Sequence, residues 1–281
     1  MSDECIGLVG LGFVGGAHLA VLSEFFVIET YDKFKQKEST CKSLEELCSK
    51  TRLVFVCVPT PMKKSGQCDI SIVESVLQEL NAANKNNVVI IKSTIPPGTT
   101  EYFNSKYTNL QIVFSPEFLR EVSPVADLRQ QMRTIVGGPR PATTEVCAFM
   151  KKAFPSSHII KTSSTIAEMV KYFTNCFLMT KVLFCNEMYQ ICEVLDIDYD
   201  KVIEYAVYDE RIGRTHLSVP GPDGHRGGGG SCFVKDLNAL IYAAKQLGID
   251  TKILDAVWSK NLDVRPEKDW EQLVGRAVVA K

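Results

Sequence analysis

The chain has 281 residues, 45% of them apolar, and its 32 basic side chains nearly cancel its 33 acidic ones. That balance provides no global field to draw the protein to nucleic acid or to an anionic membrane, so an anionic ligand must be held by local groups such as helix N-termini. The polar start MSDE runs straight into a short apolar stretch, no apolar run approaches the length of a bilayer crossing, and the ten cysteines form no CxxC pair. The expectation is a reduced, cytoplasmic protein without a membrane span or a metal site.

From residue 5 to about residue 160, short apolar runs alternate with helix-length segments. The strand-like runs are Cys5–Val9, Phe26–Tyr31, Leu53–Val58, Val88–Lys92, Gln111–Phe114, Thr134–Val136 and His158–Ile160. Most lack polar alternation, as strands covered on both faces of a parallel sheet do. Helix-compatible stretches lie between them at Gly15–Ser23, Leu44–Lys50, Ser71–Asn84 and Thr143–Ala153. The pattern predicts an α/β domain over residues 1–160, a doubly wound, mostly parallel Rossmann-like sheet.

Beyond residue 161 the pattern becomes helical. Thr162-Ser163-Ser164-Thr165 followed by Glu168 resembles a capping box, and a long helix then runs to Leu195 with a broad apolar face that includes Met169, Val170, Phe173, Phe177, Leu178, Val182, Leu183 and Phe184. Further helices are predicted at Tyr199–Val207, Phe233–Leu247 and Thr251–Leu262. Residues 161–281 are thus read as an all-helical central domain, and its apolar surface predicts a homodimer.

Gly10, Gly12 and Gly15 stand in GxGxxG spacing after a strand and at a helix start, with Phe13 and Val14 between them. The first glycine suits a tight turn, the second a close approach of backbone to a pyrophosphate, and the third a helix packed hard on its strand. Asp32, twenty residues beyond Gly12, ends the second strand where a carboxylate would receive ribose hydroxyls and repel the extra phosphate of NADP, so the expected cofactor is NAD. Pro59-Thr60, Ser93-Thr94 and Ser115 to Glu121 all follow strand ends, the edge on which a doubly wound sheet holds its ligands.

Gly227 to Gly230, then Ser231 and Cys232, precede a helix. Its N-terminus favours a thiolate, Lys235 is close in sequence, and Asp236 lies one turn on along the same face. A nucleophilic thiolate with an acid–base group is equipment for covalent catalysis on a carbonyl. Lys171 and Asn175 share one face of the long helix.

Assembled, GLGFVG, CVPTP, KSTIPPGTT, SPEFLRE, EMVKYFTN, DERIG and VPGPDGHRGGGGSCFVKD resemble, in order and spacing, the UDP-glucose dehydrogenase family, which includes the GDP-mannose and UDP-N-acetylmannosamine enzymes. The resemblance implies oxidation of a sugar C6 alcohol to a carboxylate with two NAD in succession. UDP-glucose is the substrate expected from GPDG; a GDP-mannose or UDP-N-acetylhexosamine enzyme, or a catalytically silent NAD-binding scaffold, are the other readings.

Carried over residue by residue, Cys232 attacks the C6 aldehyde, Lys171 with Asn175 stabilises the oxyanion, and Asp236 and Thr94 serve proton transfer through a water. Glu121 is the base for thioester hydrolysis and Glu117 positions the cluster. The resemblance also puts Pro59, Thr60, Ser93, Thr94 and Lys235 at the cofactor. Glu117, Phe118, Leu119, Arg120, Lys171, Asn175, Gly229 and Cys232 fall at the substrate, with Arg211 reaching the sugar of a neighbouring subunit. The resemblance departs at Gly228, where members usually carry an aromatic residue, and at Val234, where Pro is common. It also departs at Gly275–Lys281, where most members begin a further α/β domain.

Overall fold

The computed structural model describes residues 5–280. It divides into two compact units, one comprising residues up to Thr60 together with Ile70–Lys171, the other Pro61–Asp69 with the chain from Tyr172 onward.

In the first unit, the strands β1 (Cys5–Val9), β2 (Val27–Tyr31), β3 (Leu53–Val56), β4 (Val88–Ile91), β5 (Gln111–Phe114), β6 (Arg133–Gly137) and β7 (His158–Thr162) form one sheet in the order β2-β1-β3-β4-β5-β6-β7. Every pairing is parallel except β5 with β6, which meet antiparallel at Phe114 and Gly137. Because successive side chains of a strand point to opposite faces, each strand feeds two cores. Phe55, Ile90 and Val113 join one core with residues of α1 (Phe13–Leu22), α5 (Pro124–Arg129) and α6 (Ala142–Ala153). Val54, Val56, Ile91 and Phe114 join the other, with α2 (Leu44–Lys50), α3 (Ser71–Ala83), α4 (Thr99–Lys106) and Ala167 at the start of α7 (Ser164–Leu195). This double burial is why the strands read as unbroken apolar runs.

The elements depart from the sequence reading in identifiable places. Helix α1 begins at Phe13, two residues early, because Gly12 already serves as its N-cap. The short helices α4 and α5 have no apolar period of their own to announce them; α4 follows a glycine in the left-handed region and α5 opens on a proline at its first turn. The capping box does not form. Ser163 Oγ accepts from Ile166 N at 3.3 Å, while Glu168 turns to the start of α4, accepting from Gly98 N at 2.6 Å and from Thr100 N and Oγ1 at 2.8 and 2.6 Å. A buried carboxylate thus caps a different helix from its own, and burial raises its pKa above the ordinary carboxylate range.

That contact also explains the boundary. A Cβ on Gly137 would stand 2.7 Å from Ala167 Cβ, and Lys171 Nζ donates to Glu117 O at 2.5 Å. The first turns of α7 therefore belong to the sheet unit, and the division falls after Lys171 instead of at 160/161.

The second unit contains the remainder of α7, then α8 (Tyr199–Ala206), α9 (Phe233–Gln246) and α10 (Lys252–Val264). Its main core joins Cys176, Met179 and Leu183 of α7 with Val234, Leu237 and Ile241 of α9, Val257 of α10, and Trp270. Trp258 and Trp270 sit with ring centroids 5.5 Å apart. The segment Gly275–Val279 runs alongside residue 62: Ala277 O accepts from Met62 N at 2.8 Å and Val279 N donates to Met62 O at 3.0 Å. No helix among the described residues is long and apolar enough to cross a membrane.

Phe55 is fully buried, with its ring 5.7 Å from those of both His18 and Phe149. Phe55→Ala leaves a cavity and is expected to cost about 3–5 kcal/mol, whereas Phe34→Ala, at a side chain 91% exposed, should change stability by less than about 0.5 kcal/mol. Guanidinium unfolding midpoints of the two variants check this, and equal midpoints would remove Phe55 from the core.

Candidate active site

The strand order reverses direction between β1 and β3, and the glycine turn follows β1 at that switch point. Gly10 has φ +89°, and a Cβ there would lie 2.8 Å from Cys57 O. A Cβ on Gly15 would overlap the Gly10 carbonyl, so α1 can rest this close to its strand only with glycine at that position. A Cβ on Gly12 would meet nothing within 4 Å, so the turn faces open space. A cradle of bare backbone at an uncapped helix start fits a dinucleotide pyrophosphate. Asp32 braces the turn, accepting from Leu11 N at 2.7 Å through one oxygen and from Phe34 N and Lys35 N at 2.8 and 3.0 Å through the other. Phe13 and Val14 lie in the first turn of α1.

The loops after β3 and β4 are tied together by Ser93, whose hydroxyl donates to Val58 O at 2.6 Å. Thr60 and Ser93 are buried, Thr94 is half-buried, and Pro59 is exposed. Glu117, after β5, is buried between Lys92 and His18. It pairs with Lys92 Nζ and lies 3.1 Å from His18 Nε2, while Lys92 also donates to Ser115 Oγ at 3.2 Å. Burial by itself would raise the Glu117 carboxyl, but Lys92 and His18 outweigh it and bring the group down to about 2. A carboxylate so held is a strut more than a base, and what it holds is its own main-chain carbonyl, the acceptor of Lys171. The Lys171 ammonium also stands 5.2 Å from the centroid of the Phe118 ring. Leu119 is half-buried, Glu121 is exposed, and Arg120 turns away to pair with Asp127 at 2.5 Å.

In the second unit, Cys232 is the N-cap of α9 and half-buried. One turn on, Asp236 is 1% exposed and held on both oxygens, by Asn175 Nδ2 at 2.6 Å and by Lys235 Nζ at 2.5 Å. Desolvation would lower the Lys235 pKa, yet the facing Asp236 carboxylate raises it above the ordinary value. Lys235 is thereby committed to Asp236.

The glycine run before Cys232 is fixed from a distance. Asn261 Oδ1 accepts from Gly228 N at 2.8 Å and Asn261 Nδ2 donates to Gly228 O at 3.0 Å. Asn186 holds Gly227 N and Asp269 holds Gly230 N. Arg265, buried, joins Asp269 at 2.6 Å to Asp223 at 2.8 Å, and a Cβ on Gly229 would overlap its guanidinium. Asp223 of the GPDG stretch is therefore bound to the interior of this unit. Arg211 lies on the surface, paired with Asp209 at 2.5 Å and with its side chain 90% exposed.

The folded units thus bring Asp32 to the glycine turn, Glu117 to Lys171, and Asn175 to Asp236 and Lys235, while Arg120 and Arg211 point to local acids. Sequence reasoning missed His18, Lys92, Asn186, Asn261, Arg265 and Asp269. Lys92 carried a signal, a lysine ending an apolar strand, which is tolerated only if paired. The others act across sequence separations that no local pattern encodes. No grouping of three or more His, Cys, Asp or Glu suited to a metal ion occurs among the described residues.

Residues 30–155 match the model of the UDP-glucose/GDP-mannose dehydrogenase family NAD binding domain, and residues 165–263 match that family's central domain. A UDP-glucose 6-dehydrogenase of Rickettsia bellii is 35% identical over 224 residues, covering 77% of this chain and 50% of that protein. One of Bacillus subtilis is 34% identical over 218 residues, covering 74% and 46%. The chain spans about half the length of the curated relatives it matches. The structure of a UDP-glucose dehydrogenase from Pyrobaculum islandicum superimposes with a TM-score of 0.83 at 27% identity, covering 92% of this chain and 68% of that one.

The Glu117 cluster yields a signed expectation. Its carboxyl is lowered from an ordinary 4.5 to about 2, so its contribution is fully present above about pH 4.5 and fades as pH falls towards 2. Lys92→Met leaves a buried carboxylate short of its main partner and should cost about 3–5 kcal/mol at neutral pH, part of which Glu117→Gln restores in the double variant. Urea unfolding of the three chains measures it, and a Lys92→Met chain as stable as the parent would contradict the assignment.

Proposed function

The chain belongs to the UDP-glucose/GDP-mannose dehydrogenase family, and on that premise we propose that it oxidises the C6 alcohol of UDP-glucose to the carboxylate through a covalent intermediate on Cys232. The observation that carries the reading is the buried Asn175–Asp236–Lys235 cluster one turn from Cys232, at the start of a helix fed by a glycine loop. NAD, received at Gly10, Gly12, Phe13, Val14, Gly15 and Asp32, supplies the hydride acceptor.

The remaining chemistry falls to side chains. Asp236 and Thr94, through a water, take the proton of the alcohol. The Cys232 sulfur adds to the C6 aldehyde, giving a thiohemiacetal that keeps a reactive species from escaping between the two oxidations. Lys171, held at Glu117 O, stabilises with Asn175 the oxyanion formed on the sugar carbon. After the second oxidation the thioester is hydrolysed by water, with Glu121 as base, while Glu117 holds the Lys171 site in place. Pro59, Thr60 and Ser93 line the cofactor's edge of the sheet, and Phe118, Leu119 and Gly229 contact the sugar. Arg211, exposed on its own subunit, reaches the sugar of the neighbouring one.

That last role requires a homodimer. Phe173 and Phe177 stack with centroids 6.0 Å apart, and they are 67% and 56% exposed, as is Phe184 at 64%. An aromatic face of this kind on one helix is a cost in water that a second copy removes.

Two NADH per UDP-glucose are expected, with Cys232→Ser losing uronate formation and Lys171→Ala lowering kcat roughly 10²–10³-fold. Parental uronate production by Cys232→Ser would sink the covalent scheme. A panel of nucleotide sugars scored for NADH decides the substrate; turnover confined to GDP-mannose or an N-acetylated UDP-sugar moves the assignment there. NAD binding by calorimetry without turnover on any sugar points to a silent scaffold. Light scattering at micromolar concentration should give a dimer for the parent and a monomer for Phe177→Glu, and a monomeric parent would rule out the shared site.

A further inference from the structure

The segment Leu273–Val279 is built to deliver one side chain. Gly275, with φ +79°, lets the chain reverse, and Gly275 N donates to Val278 O at 2.7 Å while Ala277 N donates to Leu273 O at 2.8 Å. Ala277 is fully buried and hydrogen-bonded to Met62, so the backbone on either side of it is fixed. Arg276 precedes Ala277, and its Nη2 donates to Ser231 Oγ at 3.2 Å. Ser231 Oγ in turn lies 3.7 Å from Cys232 Sγ.

The direction of this relay follows from the groups in it. A guanidinium has donors and no acceptor, so the Ser231 oxygen accepts from Arg276. Accepting from a cation polarises the hydroxyl and strengthens whatever bond its own proton makes, most of all to an anion. The sulfur beside it is the group proposed above as nucleophile. We infer that Arg276 is a positioning residue for Cys232, acting through the Ser231 hydroxyl to stabilise and aim the reactive sulfur. This rests on the reading of Cys232 as the nucleophile and adds to it a cation carried by the Leu273–Val279 turn. Arg276 is exposed, so its replacement should leave the buried core in place.

The test is the rate at which iodoacetamide alkylates Cys232, followed by peptide mass spectrometry at one neutral pH in the parent, Arg276→Gln, Arg276→Lys, Ser231→Ala and the Arg276→Gln/Ser231→Ala double variant. Arg276→Gln and Ser231→Ala should each slow alkylation by about three- to tenfold, the worth of one hydrogen bond. The double variant should be no slower than Ser231→Ala, and Arg276→Lys should lie between parent and Arg276→Gln. Thermal melts confirm equal folding. A parental rate in Arg276→Gln, or slowing that adds in the double variant, overturns the relay. Alkylation needs neither NAD nor a nucleotide sugar, so the two ideas can fail separately. Slowed alkylation in a chain that reduces no NAD would sink the dehydrogenase reading alone, while normal turnover with unchanged alkylation would sink the role of Arg276 alone.

Discussion

A backbone stripped of side chains can be held only through its own N–H and C=O groups, and both glycine turns of this protein are held that way. Asp32 accepts from Leu11 N in the first. In the second, Asn186, Asn261 and Asp269 take Gly227 N, Gly228 N and Gly230 N in turn. Glycine gives each turn the positive φ values and close approach it needs, at the cost of conformational freedom that must be removed again on folding. Single carboxylates and amides arriving from far along the chain remove it. Each turn then opens a helix, α1 or α9, whose first residues are the ones the proposed chemistry needs in a fixed place.

Charge burial follows the same logic of support. Lys92, Glu117, Arg265 and Asp236 are all nearly sealed from solvent, and none is unpaired. Isolated, each would cost several kcal/mol to bury; paired, the clusters repay most of that and gain specificity of geometry, because any displacement leaves a charge stranded. In the sheet unit the fixed object is the Glu117 carbonyl that receives Lys171. In the helical unit it is the glycine run that leads into Cys232. Glu117 and Asp269 act here as anchors for neighbouring groups, which is a different task from exchanging protons.

Much of this was legible from the sequence. The strands of the sheet were visible because burial on both faces makes Leu53–Val56 or Val88–Ile91 apolar throughout, and the glycine fingerprint because strand, turn and helix are adjacent in the chain. Glu168 shows where such reading ends. Its spacing from Thr165 imitates a capping box, but Gly98 and Thr100, about seventy residues away, present unsatisfied donors at another helix start, and tertiary contact outranks the local option. Asn261 and the Arg265–Asp223 pair were invisible for the same reason, as Gly228 and Asp223 lie more than thirty residues upstream. The antiparallel join of β5 to β6 left no mark either, since a strand's apolar pattern does not reveal its direction.

Gly228 joins these threads. The family resemblance leads one to expect an aromatic side chain there, yet a Cβ at that position would fall on the sulfur of Met179, which is itself fully buried. The volume beside the loop is thus already filled from α7, and by the residue type that adapts best to an irregular gap. Filling the space from the helix preserves packing but forfeits the rotational lock that a large side chain on the loop itself would provide. The two-sided grip of the Asn261 amide on Gly228 N and O restores that lock through the main chain. Removing the amide would therefore loosen the approach to Cys232 even though it touches neither the sulfur nor any residue of α9 named in the chemistry.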